Sequence, residues 1–223
     1  MRVRARAKLT LSLRVTGVRA DGYHELDAEM VTVSLADELT FGPGRNVLPP
    51  EDLVSRALAA VGRQAHVVVD KRIPAGAGLG GGSADAAAVL RWAGCDDLGV
   101  AAAIGADVPF CLVGGRARVR GIGEVVEALP FEDRTFTLLT PDVAVATPAV
   151  YRMWDELGGP HDDGPEPNDL VAAALRVEPS LAEWRDRLEA ATGQRPRLAG
   201  SGGTWFVEGA CPEAGLVVHT ERP

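Results

Sequence analysis

Apolar and polar residues alternate along the first part of the chain. Between residues 8 and 16, every second residue is leucine or valine, and the residues between them are lysine, threonine, serine or arginine. A period of two predicts a half-buried β-strand, with Lys8, Thr10 and Ser12 on one face. The same alternation returns over residues 30–41, after a polar turn, and predicts more strand.

Helical signals appear further along the chain. Prolines and acidic residues precede an apolar stripe near residue 51, an alanine-rich segment follows residue 83, and the last third has three further helical segments. Thr147 stands before Pro148, which predicts an N-cap followed by proline at the first helical position. The predicted helices cover 51–62, 83–93, 147–156, 169–177 and 181–192.

Short β-prone runs separated by glycine and proline turns predict additional strands. They lie at 66–70, 110–113, 117–119, 136–139, 204–207 and 216–218. This mixture of elements predicts an α+β fold in two sublayers. Residues 158–167 are rich in glycine and proline, which predicts a linker or a mobile loop.

Composition and charge narrow the function classes. The 23 basic and 31 acidic residues give a formal charge of −8, which does not favour nucleic-acid binding. No apolar run approaches the roughly 18 residues of a membrane helix, and no signal-peptide core follows the basic N-terminus. Cys95, Cys111 and Cys211 form no CxxC pair, so we expect buried, reduced thiols in a cytoplasmic protein.

The strongest local signal is a glycine run between a predicted strand and a predicted helix. Five of the seven residues in 76–82 are glycine, so backbone N–H groups can converge on an anion beside the helix N-terminus. The run has neither the Gly-Lys-Ser/Thr ending of a P-loop nor the dinucleotide fingerprint. A flexible linker is disfavoured by the flanking elements. Ser83 could contact phosphate, cap the helix, or do both.

This run resembles the phosphate-binding motif of the GHMP kinase superfamily. The string Pro-Ala-Gly-Ala-Gly-Leu-Gly-Gly-Gly-Ser at 74–83, with Asp-Lys-Arg-Ile before it, is similar to the family of 4-diphosphocytidyl-2-C-methyl-D-erythritol kinases. Other segments of the chain resemble that family in the same order. They are 7–11, 19–26, 105–110, 121–124, 168–170 and 200–204.

The resemblance implies a fold and an activity. The fold would be that of the GHMP kinases, with an N-terminal domain at 1–135 that resembles ribosomal protein S5 domain 2 and a ferredoxin-like C-terminal domain at 136–223. The chain would be a cytoplasmic enzyme of non-mevalonate isoprenoid biosynthesis that uses ATP and Mg²⁺. It would phosphorylate the 2-hydroxyl of the cytidyl substrate as a monomer or homodimer, without nucleic-acid or membrane partners.

Phosphoryl transfer to an alcohol needs charge neutralisation and a group that takes the hydroxyl proton. Taken alone, Asp107 would be an ordinary aspartate in a loop or at a helix end, and Lys8 a solvated charge. The resemblance implies that they are the catalytic pair: Asp107 accepts or relays the proton, and Lys8 orients Asp107 and stabilises developing charge.

The resemblance also implies the residues of two binding sites. For the nucleotide they are Lys71, Pro74, Gly76, Gly78, Leu79, Gly80, Gly81, Gly82 and Ser83. For the cytidyl substrate they are Thr10, Tyr23, His24, Met30 and Asn168. A tyrosine ring can stack on a pyrimidine, and a histidine can bond to its edge. An ordinary surface pair would also explain Tyr23 and His24, and a solvated charge would explain Lys71.

Three residues depart from the family pattern, and no protein ligand for Mg²⁺ can be named. Thr10 and Asp52 each stand where asparagine is usual, and Met30 stands where an aromatic residue is usual. These departures keep two alternatives open. The chain could be another small-molecule GHMP kinase or a paralogue that binds nucleotide without turnover.

Overall fold

A computed structural model describes residues 1–162, 164 and 167–223. Its first sheet is built on a long hairpin, β1 (Arg2–Val18) and β2 (His24–Gly42). The strands predicted at 8–16 and 30–41 are therefore confirmed and extend further. A polar turn joins them, as expected.

The predicted common face of three β1 residues is wrong at one position. Lys8 pairs with Thr32 and Thr10 pairs with Met30, but the register shifts before Ser12, which pairs with Glu29. Neighbouring residues of β2 point to opposite faces, so this irregularity turns Ser12 away from Lys8 and Thr10. Polar alternation alone gives no sign of such a shift.

The remaining strands of this sheet are β3 (His66–Asp70), β4 (Arg116–Gly121) and β5 (Val125–Ala128). The order is β1-β2-β4-β5, with β3 paired to the C-terminal part of β2, and all pairs are antiparallel. The strands predicted at 66–70 and 117–119 are confirmed, whereas β5 was not predicted.

Helices α1 (Leu53–Ala60), α2 (Gly81–Ala93), α3 (Leu98–Ile104) and α4 (Val108–Val113) follow in this half. The centre of α2 is buried throughout because it consists largely of alanine, whose small side chain allows close approach to β1, α1 and α4. Because α2 begins within the glycine run, this packing positions the run next to the sheet.

The strand predicted at 110–113 is wrong, because these residues belong to α4. Pro109 lies in the first turn, where its missing N–H costs nothing, and Phe110 and Cys111 are buried. A run of four apolar residues is too short to show a period, so the sequence cannot distinguish a strand from a buried helix there. Helix α3 was not predicted.

The second sheet contains β6 (Thr135–Leu139), β7 (Arg197–Leu198), β8 (Trp205–Glu208) and β9 (Leu216–His219). Its order is β7-β8-β6-β9, with antiparallel pairs. Three of these strands were predicted, and the two-residue β7 was not. The helices of this half are α5 (Thr147–Glu156), α6 (Val171–Val177) and α7 (Leu181–Thr192).

The three predicted C-terminal helices are confirmed, but the predicted N-cap of α5 is wrong. Ala146 occupies the cap position, and within the described ranges no side chain caps this end. The hydroxyl of Thr147 instead contacts that of Ser201 at 2.7 Å.

Isolated bridges join strands of the first sheet to the second half of the chain, between Leu13 and Asn168 and between Val33 and Thr220. The domain division at residue 135 stays a prediction. The predicted loop 158–167 lies in part outside the described residues, and its described part includes Pro160, whose carbonyl accepts a hydrogen bond from Trp154 Nε1 at 2.9 Å. None of the described helices is long and apolar enough to cross a membrane.

The cysteines are free thiols, but their burial differs from the expectation. Cys111 is buried in α4, whereas Cys95 and Cys211 are half-buried. Burial raises the pKa of the Cys111 thiol to about 12, because a thiolate loses its hydration in the protein interior.

We expect iodoacetamide at pH 8 to alkylate Cys95 and Cys211 in the folded protein and to leave Cys111 unmodified. The thiolate is the reacting form, and a thiol with a pKa of about 12 is ionised to only about one part in 10⁴ at that pH. Peptide mass spectrometry with and without urea measures this difference. Equal labelling of the three thiols without urea would contradict it.

Candidate active site

Lys8, on β1, and Asp107, at the start of α4, lie in contact with each other. Lys8 is 5% exposed, and its Nζ lies 3.3 Å from Asp107 Oδ2 and 3.1 Å from Thr10 Oγ1. A buried ammonium needs such partners to offset the loss of hydration. The structure thus brings together the two predicted catalytic residues and Thr10.

Asp107 occupies the N-cap position of α4 without using its side chain as a cap. Aspartate at this position commonly bonds to the N–H groups of the first turn, yet none of the described residues donates such a bond here. The carboxylate instead contacts Lys8 and is 31% exposed. It is therefore available to a ligand.

The glycine run passes directly over Lys8. Gly76, Gly78 and Gly80 have φ angles of +69°, +76° and +68°, a region that residues with a side chain rarely adopt. A Cβ on Gly80 would lie 2.8 Å from Lys8 Cγ, and the carbonyl of Leu79 accepts the backbone N–H of Lys8 at 3.1 Å.

Helix α2 begins inside this run and offers uncapped N–H groups. Its N-cap is Gly80, and no hydrogen bond from a described side chain caps the helix. The cap interpretation of Ser83 is therefore wrong: Ser83 is the third helical residue, half-buried in the first turn. The free N–H groups and the helix dipole suit a phosphate.

A second glycine segment packs on the first. The N–H of Thr204 donates to the carbonyl of Ala77 at 3.1 Å, and a Cβ on Gly203 would lie 2.8 Å from Ala77 Cα. A Cβ on Gly200 would lie 3.4 Å from Lys8 Nζ. The sequence shows 200–204 as a motif, but it gives no sign that this segment lies close to Lys8, because that contact depends on tertiary packing.

Asn168 supports this second segment. Its Nδ2 donates to the carbonyls of Leu198 and Gly200 at 2.9 and 2.8 Å, and its Oδ1 accepts the N–H of Leu170 at 3.0 Å. Asn168 is 6% exposed. These hydrogen bonds use the polar atoms of its side chain, so direct contact with a substrate stays a prediction.

Lys71 lies beside the start of α2 in contact with two buried carboxylates. Its Nζ donates to Asp37 and, at 2.8 Å, to Asp85. Burial alone would lower the pKa of Lys71, but the hydrogen bonds to both carboxylates raise it above its ordinary value. Lys71 is thus an exposed charge at a strand end, as one interpretation expects, but its ammonium is paired with two carboxylates.

Tyr23 and His24 lie where the β1–β2 turn meets α5. Tyr23 is 61% exposed, whereas the ring of His24 lies 4.8 Å from that of Tyr151 and 5.5 Å from that of Trp154. His24 Nε2 also contacts Asp155 Oδ1 at 2.8 Å. The side chain of His24 is thus held by α5, and that of Tyr23 is open to solvent.

Sequence reasoning missed the residues of α5 that hold His24. Tyr151, Trp154 and Asp155 are spaced by three and four residues, which places them on one face of the helix. That spacing was the available signal. Burial, with the negative charge of Asp107, raises the pKa of Tyr151 above its ordinary range.

Met30 is a predicted substrate residue that lies buried in the sheet. It is 3% exposed and pairs with Thr10 across the sheet, and its contact with a base stays a prediction. Pro74 is exposed, and Leu79 is 1% exposed, so Leu79 presents backbone atoms to the site. Asp52 is the N-cap of α1, accepting the N–H of Val54 at 2.8 Å.

Known proteins resemble this chain in sequence. Residues 52–115 match the family described as GHMP kinases N terminal domain. A protein of Paracoccus denitrificans (strain Pd 1222), named 4-diphosphocytidyl-2-C-methyl-D-erythritol kinase, is 37% identical over 235 residues, with 91% of this chain and 84% of the relative covered. A protein of the same name from Jannaschia sp. (strain CCS1) is 38% identical over 237 residues, with 91% and 86% covered.

Solved structures show the same relationship. The crystal structure of a 4-(cytidine 5'-diphospho)-2C-methyl-D-erythritol kinase matches with a TM-score of 0.80 and 33% identity, covering 99% of this chain and 98% of that one. A mevalonate kinase with a TM-score of 0.63 and 11% identity shares the fold over the full length of both chains. The α+β GHMP kinase fold is therefore confirmed, and the chain belongs to the 4-diphosphocytidyl-2-C-methyl-D-erythritol kinase family.

Proposed function

We propose that the chain transfers the γ-phosphoryl group of ATP to the 2-hydroxyl of 4-diphosphocytidyl-2-C-methyl-D-erythritol, in the cytoplasm, as a step of non-mevalonate isoprenoid biosynthesis. The observation that carries this proposal is the contact between Lys8 and Asp107 beneath two packed glycine segments. This contact supports a phosphate site beside a proton acceptor.

The triphosphate would bind on the glycine run and the first turn of α2. Positive φ angles at Gly76, Gly78 and Gly80 turn the backbone sharply, and a loop without side chains lets N–H groups reach the phosphates. The chain carries a net charge of −8, so local groups must supply the attraction. The nearest cations are Lys8, beside Gly80, and Lys71, beside Gly81, and each is also paired with carboxylates.

The acceptor hydroxyl would lie against Asp107. Its carboxylate is exposed on one side and contacts Lys8 on the other, so it can take the hydroxyl proton as the oxygen attacks phosphorus. Lys8 remains between Asp107 and the glycine segments, where it can stabilise charge on the transferred group. Thr10, bonded to Lys8, would fix the direction of the ammonium.

The cytosine ring would lie beside Tyr23 and His24. The exposed ring of Tyr23 offers a stacking surface, and the contact with Asp155 fixes the orientation of the His24 ring. Tyr151 contacts His24 in this region. A substrate with its base at one end and its hydroxyl at the other would reach from Tyr23 and His24 to Asp107.

Magnesium would neutralise phosphate charge during transfer. The described residues hold no group of three or more His, Cys, Asp or Glu side chains that could bind a metal. Mg²⁺ would enter the site bound to ATP, because phosphate oxygens and water fill most of its coordination shell. Ser83 would offer it a hydroxyl. A monomer or homodimer stays the expected assembly.

We expect ADP release with Mg²⁺-ATP and 4-diphosphocytidyl-2-C-methyl-D-erythritol, and none above background with homoserine, mevalonate or galactose at equal concentration. Only the cytidyl compound has a base for Tyr23 and His24 to contact. A coupled assay of ADP release measures this selectivity. Turnover with another of the four would indicate a different small-molecule kinase, and ATP binding without any turnover would indicate a non-catalytic paralogue.

A further inference from the structure

Two buried aspartates and one lysine form a cluster below the start of α2. Asp37, on β2, has no exposed surface. It accepts the N–H groups of Arg72 and Ile73 at 2.5 and 2.8 Å, together with the ammonium of Lys71. Asp37 therefore fixes the segment that leads from β3 into the glycine run, and both of its oxygens are engaged.

Asp85 is the second carboxylate of the cluster and is less completely satisfied. It lies on α2 and is 5% exposed. Its Oδ2 accepts a hydrogen bond from Lys71 at 2.8 Å, whereas its buried Oδ1 has no partner among the residues that the structure describes. A buried oxygen without a donor makes the ionised carboxylate costly.

The cluster lies at the end of the helix where the triphosphate is proposed to bind. A Cβ on Gly81, the first residue of α2, would lie 3.3 Å from Lys71 Nζ. If both carboxylates are ionised, two negative charges and one positive charge lie under the phosphate site. The net negative charge opposes an incoming polyanion, and protonation of Asp85 removes it.

We propose that Asp85 is a positioning residue for the nucleotide: it holds Lys71 at the first turn of α2 and takes up a proton from solvent when a polyphosphate binds there. This inference rests on the proposed function, because it needs the phosphates on the glycine run. It gives the free enzyme and the nucleotide complex different proton contents near neutral pH.

Two other titratable groups near Asp85 have pKa values shifted away from neutral pH. Lys71 has a raised pKa, and burial raises the pKa of Cys111 on α4 to about 12. Burial also raises the pKa of Asp85, to about 7, in spite of Lys71. Lys8 of β1 lies against Gly80. Helix α3 contains no ionisable residue, and the arginine of α1 donates to a carbonyl of α3.

The test compares the pH dependence of MgADP binding in wild type and in Asp85→Asn, by titration calorimetry between pH 6 and 8. We expect the affinity of wild type to fall by about three- to tenfold as pH rises, with proton uptake detected from buffers of different ionisation enthalpy. In Asp85→Asn, the side-chain amide oxygen would still accept the Lys71 hydrogen bond without a charge. The affinity of this variant would stay near the wild-type value at pH 6 across the range.

Two further variants separate positioning from folding. Asp70→Asn makes the same chemical change one residue before Lys71, at an exposed carboxylate paired with Arg72, and should keep the wild-type profile. Asp85→Ala removes one of the two acceptors of Lys71 and should weaken binding at every pH, whereas Asp85→Asn keeps an acceptor there and should restore binding.

Each result decides the inference. An unchanged pH dependence and unchanged proton uptake in Asp85→Asn would overturn the role of Asp85 and leave the proposed function intact. Failure of wild type to bind MgADP at any pH would overturn the proposed function and this inference with it.

Discussion

Replacing Asp107 with asparagine should lower kcat by about a thousandfold and leave the affinity for MgADP within about twofold of wild type. Asparagine matches aspartate in shape but cannot accept a proton from a hydroxyl at neutral pH. The glycine run and Lys71 do not depend on the charge of Asp107, so the nucleotide site should persist. Steady-state kinetics with the cytidyl substrate and titration calorimetry with MgADP measure the two quantities separately.

The fold should tolerate this substitution. The Asp107 side chain does not cap α4 within the described residues, and it is 31% exposed. Asp96→Asn is a matched control, because Asp96 is an exposed aspartate outside the site, and this variant should keep wild-type turnover. If Asp107→Asn retained a tenth or more of the wild-type kcat, Asp107 would not be the proton acceptor.

The catalytic centre shows which parts of a site sequence patterns can predict. Alternation on β1 correctly predicts a strand with Lys8 and Thr10 on one face, because both precede the register shift. It fails at Ser12, because the shift depends on how β2 pairs with β1. Asp107 has no local pattern of its own, and its contact with Lys8 arises only when α4 packs near β1.

The contacts of His24 are equally non-local. The turn sequence predicts that Tyr23 and His24 lie near each other, but α5 begins more than a hundred residues later. Contact with Tyr151, Trp154 and Asp155 depends on how the second half of the chain packs on the hairpin. The spacing of the three α5 residues predicts that they share one face of the helix, but not that this face contacts His24.

Two further features, helix α4 and the cluster at Lys71, could not be predicted from local sequence. Phe110 and Cys111 are buried in a helix too short to show a period. Asp37 and Asp85 each resemble ordinary acidic residues in the sequence, and their burial beside Lys71 appears only in the folded chain. The glycine run is therefore visible in the sequence, whereas the cluster of Asp37, Asp85 and Lys71 next to it is not.

The glycine run itself allows the sharpest test of packing. Gly78→Ala should lower the free energy of unfolding by about 3 kcal/mol and abolish measurable MgADP binding. Gly78 has a φ of +76°, and an added Cβ would overlap the carbonyl oxygens of Ala199 and Gly202. Because both obstructing atoms are backbone, the two glycine segments would have to separate.

Gly62→Ala is the matched control for backbone strain. Gly62 has a φ of +61°, and no described atom lies within 4 Å of its added Cβ, so this variant should lose only about 1 kcal/mol and bind MgADP normally. Urea-induced unfolding and titration calorimetry compare the two variants. Equal losses would mean that φ strain alone explains the glycine at 78. A larger loss confined to Gly78→Ala, with loss of MgADP binding, would show that the phosphate site requires the backbone contact between the two glycine segments.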